Sequence, residues 1–69
     1  MSDLKISLKA ARVNAGMTQK DVARELRVSN KTVLNWETGV AKPALATIKS
    51  LSDIYKIPME NIFLPSDTH

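Results

Sequence analysis

Apolar residues along this chain recur at helical spacing, and polar capping residues and prolines break them into short blocks. Leu8, Ala11, Arg12 and Ala15 fall at i, i+3, i+4 and i+7, apolar except for Arg12, and Gly16 follows as a stop. Thr18 is placed as the N-cap of a second helix, with Asp21 three residues on imitating a capping box. Val22, Ala23 and Leu26 form its inner face, and it ends near Arg27. Val28 is an apolar turn residue, and Ser29 is a second N-cap that starts a helix with Val33 and Trp36 inward and Gly39 at its end. Lys42-Pro43 marks the next boundary, with proline suited to a first helical position. Leu45, Ile48, Leu51, Ser52 and Tyr55 then line the longest helix, and Pro58 opens a last one from Met59 to Leu64. The pattern predicts an all-α fold, a compact five-helix bundle over residues 8–64 with no convincing strand. Residues 65–69 are expected to be a flexible tail.

With 69 residues and no cysteine, the chain has neither a disulfide framework nor a thiolate zinc site to stabilise it, so its core must come from packed helices or a partner subunit. No apolar run exceeds three residues, and Met1–Lys5 lacks the layout of a secretory signal, which predicts a cytoplasmic protein. The net charge of +3 is unevenly spread. Eight basic against four acidic residues in 1–42 leave +4, whereas two against three in 43–69 leave −1. A basic first part suggests a surface facing a polyanion.

Gln19 to Thr38 is the informative segment: two helices of about eight residues joined by a three-residue turn. Such a helix-turn-helix needs a small residue at the helix contact, here Ala23, and apolar residues that lock the crossing, here Val22, Leu26, Val28, Val33 and Trp36. With Val33 and Trp36 inward, Asn30, Lys31, Leu34 and Asn35 form the outer face of the second helix. An asparagine amide matches the adenine N6/N7 edge, a lysine can donate to guanine, and a leucine can pack on a thymine methyl group. The Ser29-capped N-terminus adds free N–H groups and a partial positive charge suited to phosphates.

The chain resembles the Cro/cI-type helix-turn-helix domains of phage repressors and their bacterial relatives, the XRE-type regulators, from about Leu8 to Leu64. The likeness includes Gly-x-Thr-Gln at Gly16–Gln19, Trp-Glu-x-Gly at Trp36–Gly39 and the Lys-Pro opening the fourth helix. It implies a lambda-repressor-like fold with the recognition helix, residues 30–37, in the major groove of double-stranded DNA. Asn30, Lys31 and Asn35 then stand at base-reading positions, joined on the same face by Leu34. Gln19, Ser29, Thr38 and Lys42 stand at backbone-contacting ones. The resemblance also implies an ion pair between Arg12 and Glu37, which accounts for an arginine inside an apolar stripe. Two positions depart from the family pattern. Arg27 stands where a left-handed glycine is common, at a cost of about 1 kcal/mol or more, and Lys56 replaces a glycine or asparagine before the last helix.

Enzyme chemistry finds little support: the one histidine is the last residue, there is no cysteine nucleophile or glycine-rich phosphate loop, and metal-ligand types do not cluster in the sequence. No cofactor, catalytic residue or metal site is expected, and no small-molecule effector. The expected function is a sequence-specific regulator of transcription, most simply a repressor occupying a pseudo-palindromic operator as a homodimer, with Met59, Ile62, Phe63 and Leu64 at the interface. The alternative is a protein-interaction module such as an antitoxin or anti-repressor component, suggested by Leu34 in the middle of the polar face.

Overall fold

The computed structural model describes residues 5–65. Expectations for residues 66–69 fall outside that range. Four α-helices lie within it: α1 (Leu8–Asn14), α2 (Gln19–Leu26), α3 (Asn30–Thr38) and α4 (Leu45–Tyr55). They are joined by a 3₁₀ turn at Met59–Asn61 and two short strands, β1 (Ile6–Ser7) and β2 (Ile62–Phe63). The strands pair in parallel, Ile6 opposite Ile62 and Ser7 opposite Phe63.

The expected fifth helix and the absence of strands are therefore corrected. After the single 3₁₀ turn, Ile62 adopts extended angles (φ −91°, ψ 128°). Ile62 and Leu64 are buried while Phe63 between them is 38% exposed. That is the two-residue period of a strand, which a run of three apolar residues cannot distinguish from a helical stripe. The ladder with β1 supplies the backbone partners, and Lys5 Nζ donates to the Glu60 carbonyl at 3.0 Å beside it. The fold thus takes in Ile6 and Ser7 ahead of Leu8. Ser7 is also the N-cap of α1, its side chain accepting from the Ala10 N–H.

The start of α4 is corrected as well. Its N-cap is Ala44 (φ −65°, ψ 159°), without a side-chain hydrogen bond, so Pro43 is buried just before the helix instead of forming its first residue. Leu45 is 71% exposed, and the inner stripe starts one turn later at Ile48, continuing through Leu51, Ser52 and Tyr55. Ala15, expected inside α1, is its exposed C-cap.

The core joins Leu8 and Ala11 of α1, Val22 and Ala23 of α2, Val33 and Trp36 of α3, Leu51 and Tyr55 of α4, and Ile62 and Leu64 of the C-terminal segment. α2 packs chiefly on α3, and α1 lies against α3, α4 and both strands. Ala11 and Ala23, the small members of this set, let helix backbones approach closely. No buried side-chain nitrogen or oxygen lacks a partner among the described residues.

A candidate nucleic-acid interface

α2 and α3 are separated by three residues, Arg27 to Ser29, and the turn is set by Arg27 in the left-handed conformation (φ 58°, ψ 45°). The Val28 N–H then bonds the Ala23 carbonyl at 2.9 Å, closing the end of α2. At the other end of α2, Thr18 Oγ1 accepts from the Asp21 N–H while Asp21 Oδ2 accepts from the Thr18 N–H, a complete capping box. The backbone N–H of Thr18 and its hydroxyl together hold the Asp21 carboxyl below its ordinary pKa. Ser29 Oγ caps α3 by accepting from the Thr32 N–H at 3.0 Å, with the Thr32 hydroxyl 2.9 Å away. Gly39, at φ 85°, closes α3 in a left-handed conformation that glycine adopts without penalty.

With Val33 and Trp36 buried, α3 turns Asn30, Lys31, Leu34 and Thr38 outward; Asn35 is half-buried at the edge of that face. Thr38 Oγ1 donates to the Leu34 carbonyl at 2.9 Å, so its hydroxyl hydrogen is engaged within its own helix. Lys42 is exposed on the loop between α3 and α4. Arg27 adds a further exposed cation at the turn itself, near the negative end of the α2 dipole, where charge of that sign is favourable.

Behind this face lies a polar cluster that no single stretch of sequence contains. Arg12 Nε donates to Glu37 Oε2 at 2.7 Å and Nη2 to Oε1 at 3.2 Å, a bidentate fork, while Nη1 donates to the Met17 carbonyl at 3.0 Å. The two side chains are 11% and 4% exposed. The hydrogen bond to Glu37 raises the arginine pKa further above its ordinary value, against the opposing effect of burial. Gln19 Nε2 donates to Glu37 Oε1 at 3.0 Å, and Asn30 Nδ2 donates to Gln19 Oε1 at 3.3 Å. The first residues of α2 and α3 are thereby linked to each other and to α1. The Gln19–Asn30 link escapes sequence inspection, because the two residues are eleven positions apart and only the crossing of two helices brings their amides together.

The segment expected to pair two subunits divides differently. Ile62 and Leu64 are buried in their own core, Met59 is half-buried and Phe63 partly exposed. No group of three metal-ligating side chains comes together, and no helix is long and apolar enough to cross a membrane, among the described residues.

Four helices with a three-residue turn between the second and third, and a polar outer face on the third, define a helix-turn-helix domain. Residues 8–62 match the helix-turn-helix family, and the chain belongs to it. It is 38% identical over 50 residues to the HTH-type transcriptional regulator ImmR of Bacillus subtilis (strain 168), an alignment covering 72% of this chain and 39% of that protein. It is 31% identical over 58 residues to the cryptic phage CTXphi transcriptional repressor RstR of Vibrio cholerae, covering 84% and 52%. It is also 31% identical over 64 residues to the uncharacterized HTH-type transcriptional regulator MJ0272 of Methanocaldococcus jannaschii, covering 93% and 97%. The chain thus spans about half or less of the first two relatives and nearly all of the third. No solved structure matches it significantly.

Proposed function

We propose that this chain is a sequence-specific double-stranded DNA-binding regulator of transcription, acting in the cytoplasm as a repressor by occupying its operator. The observation that carries the reading is the outward face of α3, where two amides, a lysine and a leucine stand beside the capped N-termini of two adjoining helices. The names of the relatives, regulators and a repressor, agree with it. A nine-residue helix is about 14 Å long and enters the major groove with its first two turns against base edges. Asn30, Lys31, Leu34 and Asn35 then read bases, and Gln19, Ser29 and Lys42 face the phosphates. Thr38 joins them by exchanging its bond to Leu34 for a phosphate oxygen.

A single such module presents few base contacts, so two copies on a pseudo-palindromic site, with recognition helices about 34 Å apart, are the expected functional unit. The exposed parts of Phe63, Met59 and Leu45 are the apolar surface for that pairing, with Ile62 and Leu64 supporting it from inside the core. The reading requires neither cofactor nor small-molecule effector.

Selection of bound duplexes from a random pool tests the proposal. A two-fold half-site pattern, with affinity that falls steeply as salt rises, is the expected result. Binding that is indifferent to sequence and salt would overturn it in favour of a protein-docking module.

A further inference from the structure

The first turns of α4 leave a gap behind α3. Leu45 is 71% exposed, and the short side chains Ala46, Thr47 and Ser50 line a cleft of about 180 Å³ with Trp36 of α3. Leu26 at the end of α2 and Val28 in the turn complete its walls, and no charged side chain lines it. Trp36 is 8% exposed, yet its indole N–H donates to none of the described residues. Among those residues no buried side-chain nitrogen lacks a partner, so this one lies at the solvent boundary, which Trp36 meets at the cleft. The neighbouring Thr47 hydroxyl also bonds no described residue, whereas Ser50 Oγ donates to the Ala46 carbonyl at 3.2 Å.

We propose that this cleft is a binding site for a small, neutral, largely apolar molecule with one carbonyl oxygen. The oxygen accepts from the Trp36 N–H, a group that can only donate, and the apolar body packs on Leu26, Val28 and Ala46. A cavity of roughly 150 Å³ holds benzene, so a six-membered ring sets the scale of the ligand. A carboxylate would find no cation in the lining. With about 3.6 residues per turn, α3 puts Trp36 roughly opposite Lys31, Leu34 and Thr38. DNA on that outer face does not reach the cleft, and an occupant is therefore additional to operator reading, which requires none. The walls belong to the helix-turn-helix unit and to α4, so an occupant ties α4, with the Lys42 loop ahead of it, to the back of α3.

The probes are cyclohexanone, which carries the acceptor, and benzene, which fills a similar space without an oxygen. Trp36 is the one tryptophan of the chain, so its indole N–H gives a single side-chain resonance in a nitrogen–proton NMR spectrum. That resonance is expected to move saturably with cyclohexanone, with a midpoint of about 1–10 mM for a ligand of this size. Trp36→Phe keeps an aromatic ring and removes the N–H. Followed through the backbone N–H groups of Val28 and Thr47, it should weaken cyclohexanone about fivefold without weakening benzene. Ala46→Leu fills the cleft from an exposed helix position and should abolish binding of both probes. Circular dichroism shows that each variant keeps the parent's helices.

A Trp36 resonance that stays in place, or that drifts linearly with concentration, would overturn the site. So would binding that survives Ala46→Leu. Equal weakening of both probes by Trp36→Phe would overturn the N–H as the carbonyl donor, and with it the class of ligand. All these measurements use the free protein, so their outcome stands apart from whether α3 reads DNA.

Discussion

Arg12 of α1 and Glu37 of α3 meet side by side in a two-pronged ion pair, 2.7 Å at its shorter contact, with both side chains almost wholly removed from solvent. Taking two charges out of water is expensive, and their attraction offsets that cost only while both are present. Glu37→Ala should therefore destabilise the fold by about 3–5 kcal/mol, comparable to the whole stability of a chain this small. The double replacement Arg12→Met with Glu37→Leu should recover most of the loss. Urea denaturation of the parent, Arg12→Met, Glu37→Leu and the double variant, as a double-mutant cycle, measures this, and additive losses would show that the pair is not a coupled unit.

Arg27 and Lys56 have nearly the same left-handed backbone, φ 58° at both, and each ends a helix. A side chain other than glycine costs about 1–2 kcal/mol there, whereas glycine adds about 0.4–1 kcal/mol of unfolded-state entropy to be lost. Arg27→Gly and Lys56→Gly should each stabilise by about 0.5–1 kcal/mol, read as a rise in melting temperature. Arg27→Gly should at the same time lower affinity for all duplexes if the cation at the turn contributes to phosphate attraction.

Tyr55, buried against the core, has its pKa pushed up to about 12 from an ordinary 10, first by burial and then by the Glu37 carboxylate, with Arg12 opposing. The folded protein holds this proton more tightly than the unfolded chain does. The stability it contributes is therefore intact below pH 10 and is lost as the pH rises from about 10 to 12. Melting temperature followed across this range should fall more steeply for the parent than for Tyr55→Phe. Parallel curves would remove Tyr55 as the cause.

Side chains that read bases and side chains that face phosphates differ in how their loss is felt. Asn35→Ala should cost about 1–3 kcal/mol on the selected operator and relax preference at one base pair. Lys42→Ala should weaken all duplexes alike and reduce the salt slope by about one. Fluorescence anisotropy titrations at several salt concentrations separate the two behaviours. An Asn35→Ala protein that keeps the parent's preferences would move base reading to the other end of α3.

The sequence by itself determined the four α-helices, the turn between α2 and α3 and the inward residues Val22, Ala23, Val33 and Trp36. Local rules suffice there: helical period, Thr18 and Ser29 as caps, and Gly39 as a stop act within a few residues. The outward placement of Asn30, Lys31 and Leu34 follows from the same period. Tertiary structure decided what depends on segments distant in the chain. The end of the chain pairs with Ile6–Ser7, and this ladder converts Ile62–Phe63 from an expected helix to a strand and draws Ile62 and Leu64 inward. Pro43 is buried ahead of α4 while Leu45 faces solvent, a choice made by packing. Most consequential is the meeting of Arg12, Glu37, Gln19 and Asn30, whose hydrogen-bond directions exist only once three helices have docked. Periodicity assigns a residue to a face; the end of an amide that points at its neighbour is set by the acceptor across the helix contact.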